Sequence, residues 1–105
     1  TEENLKNKVN KHPQVFLNPQ AFELFEKLHE TYKDTKTPIA DYSFVYRKMY
    51  EDGYVLDNFR PQMFINWISK EPYNIQLPKL KTLPNCSPDS KIQNYNTLKE
   101  LLQIK

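Results

Sequence analysis

Four of the eight prolines each stand at the opening of a stretch with helical apolar spacing: Asn18-Pro19, Thr37-Pro38, Arg60-Pro61 and Ser87-Pro88. Proline is tolerated at the first helical position, where its missing amide hydrogen would have no intrahelical partner and its fixed φ already suits a helix. The spacing predicts helices over Pro19–Lys33, Pro38–Asp52, Pro61–Lys70 and Pro88–Leu102, so the expected fold is all-α: a bundle of about four main helices. Between the third and fourth, residues 72–86 hold three further prolines. They read as an irregular proline-rich segment, with one helical turn expected from Pro78 to Leu83.

A single glycine among 105 residues points the same way. Tight hairpin turns and phosphate-cradling loops both draw on glycine, so tight β-meanders and several nucleotide-binding motifs are not expected. Gly53 falls just after the second helix, where a left-handed cap favours it.

The chain has the length of one domain, residues 1–105, with residues 1–12 read as a frayed helix or tail. A mean hydropathy of −0.82 would suit disorder. However, 13% of the residues are aromatic, and disordered segments are poor in aromatics, so a folded chain is expected.

Within the helices, apolar residues recur at three- and four-residue intervals. Asn18 is expected to cap the first helix, with Leu17 packing on Phe22 across the cap. Phe59 and Phe64 repeat that arrangement around Pro61, and Thr37 is expected to cap the second helix. The expected core is Phe22, Phe25, Leu28, Val45, Met49, Phe64, Trp67, Ile68, Leu80, Leu98 and Leu102.

Chemistry is sparse. The single cysteine, Cys86, excludes an internal disulfide, and two histidines, His12 and His29, lie far apart in sequence. No metal-ligand spacing and no nucleophile–histidine motif is present, so no catalytic residue, no metal and no cofactor is expected. No run of apolar residues is long enough to span a membrane, and no signal-peptide pattern opens the chain; a cytoplasmic, non-enzymatic protein is expected.

The most unusual local feature is the aromatic-basic block from Tyr42 to Tyr50. It suggests a protein–protein interaction module, with Phe44, Tyr46 and Tyr50 as the contact residues, or with the 72–86 segment in that role, because tyrosine and arginine recur at binding hot spots. The alternative is a DNA-binding accessory or regulatory protein with a helix-turn-helix-like element spanning the third helix and the expected turn at 78–83. Arg47, Lys48, Lys79, Lys81 and Lys91 would then meet DNA. Net charge is only +2, and just two of the 15 basic residues are arginine. Both facts favour the protein partner, because arginine is the usual reader of guanine.

The run Ala40-Asp41-Tyr42-Ser43-Phe44-Val45-Tyr46-Arg47-Lys48-Met49, with Asp52-Gly53-Tyr54 and Phe64-Ile65-Asn66-Trp67-Ile68, resembles small uncharacterised helical proteins of gut anaerobic bacteria. Some of those are similar to accessory proteins of mobile elements. The resemblance implies a cytoplasmic bacterial protein without catalytic function, and it carries no site residues.

Overall fold

Proline stands at the first position of three helices in the computed structural model, which describes residues 10–102. The elements are α1 (Pro19–Tyr32), α2 (Pro38–Glu51), α3 (Pro61–Ile68), a 3-10 turn (Leu83–Asn85) and α4 (Asp89–Leu101). The all-α expectation holds, with four helices among the described residues.

The ends of the helices follow local chemistry. Asn18 caps α1 by accepting a 2.8 Å hydrogen bond from the Ala21 amide. Thr37 does not cap α2 with its side chain. Its hydroxyl donates instead to Asp41 in the first turn, at 3.0 Å, and the Thr35 hydroxyl donates to the same carboxylate. At the far end of α2, Gly53 adopts φ +83°. The Gly53 amide donates to the Tyr50 carbonyl and the Tyr54 amide to the Met49 carbonyl, the paired bonds of a Schellman motif.

Pro88 stands one residue outside α4 rather than at its first position, and the Ser87 hydroxyl donates to the Leu83 carbonyl instead of capping the helix. The helical turn expected at 78–83 is absent. Residues 78–82 cross α2 as an irregular strap, and the turn forms later, at Leu83–Asn85.

The chain entering α1 pairs with the chain leaving α2. The Leu17 amide donates to the Tyr54 carbonyl and the Leu56 amide to the Val15 carbonyl, both at 2.9 Å, around an isolated antiparallel bridge between Phe16 and Val55. This pairing turns Phe16 inward and leaves Leu17 57% exposed. Phe16, not Leu17, therefore meets Phe22, with ring centroids 5.8 Å apart. The matching contact at α3 forms as expected, Phe59 meeting Phe64 edge-on at 6.5 Å.

The core gathers on α2, where every residue from Asp41 to Tyr46 is buried. A helix enclosed on all sides has no free face, so Phe44, well off the main apolar stripe, is covered by Tyr95 of α4 at 6.0 Å. Of the expected core, Phe22, Phe25, Leu28, Val45, Met49, Phe64 and Ile68 are buried, while Trp67, Leu80, Leu98 and Leu102 are only partly so. Among the other buried residues are Val15, Phe16, Leu24, Tyr42, Phe44, Tyr46, Phe59, Tyr73 and Tyr95. The expected tail over residues 1–12 lies mostly outside the described residues. Its last members belong to the fold: Asn10 Nδ2 donates to the Phe16 carbonyl at 2.8 Å, and His12 packs on Trp67.

Candidate functional site

The strap is fixed to α2 by two side chains one helical turn apart. The buried Ser43 Oγ accepts the Lys81 amide at 2.8 Å, and Arg47 Nε donates to the Lys81 carbonyl at 3.2 Å. Positions i and i+4 lie on one face of a helix, so the pair holds both backbone polar groups of a single strap residue. With its backbone held from below, the strap presents Lys79 and Lys81 outward, both exposed. Lys79, Leu80, Lys81, Thr82 and Asn85 line an open polar groove of about 500 Å³. On the other side of Lys81, Lys36, Thr37, Pro38, Ile39 and Ala40 join it around a second groove of about 270 Å³. Lys81 is thus the ridge between two grooves, flanked by Lys79 and Lys36.

The remaining basic residues named from the sequence are engaged elsewhere. Lys91 Nζ lies 2.6 Å from Asp41 Oδ1. Burial alone would raise the Asp41 carboxyl, but hydrogen bonds from Lys91, Thr35 and Thr37 outweigh it and hold the group below the usual carboxylate range. Lys48 Nζ lies 3.1 Å from Glu51 and 3.8 Å from Asp52. Asp52 also accepts the Tyr95 hydroxyl at 2.8 Å and faces Lys99 at 3.6 Å. The five basic residues therefore do not converge: Arg47, Lys79 and Lys81 meet at the strap, while Lys48 pairs within the end of α2 and Lys91 ties α4 to α2. Lys36 joins the strap group, and nothing in the linear sequence announced it, because the strap's course over the start of α2 brings it there.

The aromatic contact surface expected at Phe44, Tyr46 and Tyr50 is not on the outside. Phe44 is fully buried and Tyr46 is 2% exposed. The Tyr46 hydroxyl donates to the Phe59 carbonyl at 2.7 Å. Tyr50 is half-buried, its hydroxyl donating to the Asp57 carbonyl and receiving Arg60. The helix-turn-helix expectation fails as well, because residues 78–82 are not helical.

Cys86 is buried beneath the strap, where burial pushes its thiol up although Lys91, Arg47 and Lys81 pull the other way. A thiol held in that state is a poor nucleophile. Among the described residues, no group of three histidine, cysteine or acidic side chains is placed to hold a metal. No described helix is long and apolar enough to cross a membrane.

Comparison of the chain with family models, curated proteins and solved structures finds no match.

Proposed function

We propose that the protein is a non-enzymatic binding module that grips a nucleic-acid phosphate backbone along the ridge of Lys36, Lys79 and Lys81. One observation carries this reading. Among the described residues these three lysines line two grooves that share Lys81 and, like Lys33 and Lys70, enter no ion pair, whereas Lys48, Lys91 and Lys99 all do. Unpaired cations on a fixed backbone keep their field for a partner, and a partner of regularly spaced phosphates suits a row of them.

The chemistry favours phosphate contact over base reading. Arginine, which reads guanine in two-pronged fashion, supplies only Arg47 here, and its Nε is occupied by the strap. Contacts to phosphate position a protein on DNA without selecting sequence, so the module is expected to bind duplexes of any sequence alike. The protein-partner reading loses two of its three aromatic anchors, because Phe44 and Tyr46 are buried in the core.

Fluorescence anisotropy with a random duplex tests the reading. Three neutralised phosphates predict a slope of log affinity against log salt of about −3, with no preference between two unrelated sequences. Lys79→Glu combined with Lys81→Glu should abolish binding at low salt without changing the melting temperature. An absence of binding by the native chain at low salt, or a double variant that binds unchanged, would refute it.

A further inference from the structure

The turn formed by residues 12–16, in which the Val15 and Phe16 amides donate to the His12 carbonyl at 2.9 and 3.0 Å, holds the His12 ring over a cluster of aromatics. Ring centroids lie 5.5 Å from Phe22 of α1, 5.0 Å from Trp67 of α3 and 6.4 Å from Tyr73 in the segment after α3. Further along α1, His29 meets the same Tyr73 ring edge-on at 4.8 Å and stacks on Phe25. The two histidines of the chain thus share one tyrosine, and the Tyr73 hydroxyl donates to Glu26 Oε2 at 3.0 Å.

His29 has a second tie. Its Nδ1 lies 2.8 Å from the hydroxyl of Tyr42, a residue with no exposed surface. That hydroxyl has one hydrogen to donate, and Nδ1 is the acceptor within reach among the described residues. A neutral His29 accepts it. Protonation would place a hydrogen on Nδ1 and make it the donor to the Tyr42 oxygen, so the buried Tyr42 O–H would lose its acceptor.

The charges around the pair oppose one another. Glu26 and Glu30 favour a charged His29 from its own helix and Lys33 disfavours it, while Tyr42 of α2 and Tyr73 contribute neutral hydroxyls. Across from His12, Glu26 favours charge and Lys11 opposes it. Desolvation exceeds these influences at both sites, so each imidazole is held below its ordinary value.

We propose that His12 and His29 form an acid-released latch: neutral, they seal residues 10–17 and the 70–77 segment onto α1, and protonated, they let this aromatic seam open while α2 and α4 stay joined. Because the folded chain takes up these protons less readily than the unfolded one, the stabilisation is complete above about pH 6.5 and falls away as the pH drops through the lowered histidine values. Asp41, held below the carboxylate range, remains ionised throughout that window and keeps its tie to Lys91.

Trp67 is the chain's only tryptophan, and its proximity to His12 makes its emission a reporter of the seam. The experiment follows both histidine ring protons by NMR, Trp67 emission and amide exchange between pH 7.5 and 5.5. The latch predicts histidine midpoints below about 6.5. It also predicts a Trp67 change, and exchange at residues 12–17 and 70–77 about tenfold faster at the acid end after correction for intrinsic rates, with α4 and the half of α2 beyond Tyr42 unaffected. In His12→Phe, which keeps an aromatic ring without the proton, the Trp67 response should vanish. Ordinary midpoints with unchanged emission in the native chain would overturn the proposal whether or not the variant folds. So would acceleration spread evenly over α2 and α4.

Discussion

The two sides of α2 are held by different forces. On the side of α1 and α3, rings pack against rings: Tyr46 of α2 stacks on Phe64 of α3 at 5.0 Å, and in the same core Phe25 lies 5.3 Å from Phe16, 5.2 Å from Trp67 and 5.3 Å from Tyr73. On the side of α4, the helix offers little apolar surface, and only Tyr95 is buried along its length. There the joint is made by charge at both ends, Lys91 to Asp41 near the start and Tyr95 with Lys99 to Asp52 near the finish. Start meets start and finish meets finish, so α2 and α4 run in the same sense. The lesson is that a helix too polar to be held by burial can be placed by ion pairs, provided they sit where water is partly excluded.

This contrast can be broken from either side. Phe25→Ala, which removes the hub of the ring cluster, should cost about 3–5 kcal/mol by chemical denaturation, a large part of a small domain's stability. Asp41→Asn removes the charge that Lys91 faces and should cost about 2–3 kcal/mol. The same substitution should flatten the acid limb of the stability profile. Asp41 is depressed when folded, so its contribution is present above about pH 4 and is lost as the pH falls through its lowered value. The ring cluster, if the latch operates, weakens at milder acidity. The two sides therefore separate on the pH axis, and a stability curve with one common midpoint would count against the contrast.

Smaller effects refine it. Ser43→Ala strips the strap's buried acceptor and should cost about 1 kcal/mol while loosening Lys81, so DNA affinity should fall with it. Gly53→Ala meets no atom within 4 Å, so its penalty, about 1–2 kcal/mol, comes from φ +83° alone. Calorimetry on both variants would separate strap from helix cap, because only the first should touch binding.

Helix number and placement were legible because proline marks three of the four starts, and the Schellman end of α2 was legible because one glycine stood where it was needed. The course of the strap was not. Pro78-Lys79-Leu80-Lys81-Thr82 has a turn-like pattern, and what straightens it is a pair of hydrogen bonds, one donated by the Lys81 amide to Ser43 and one received by the Lys81 carbonyl from Arg47, with partners 38 and 34 residues away in sequence. Leu17 looked like the partner of Phe22 because local capping rules place it there, but pairing with Tyr54 rotates Phe16 into that position. Phe44 was expected as a contact residue, and only Tyr95 of α4, far away in sequence, buries it. The candidate site was legible only in part: Lys79 and Lys81 were named, Lys36 was not, and Lys48 and Lys91 carry structure instead. Charge type is visible in a sequence, whereas the carboxylate that claims a given lysine depends on the fold.

Backbone amide mapping of the native chain, titrated with a random duplex at low salt, tests the central claim most directly. Shift changes confined to residues 36–40 and 79–85, with α3 and the His12–Trp67 cluster silent, are the predicted result. Changes centred on the ring cluster, or none at saturating duplex, would contradict it.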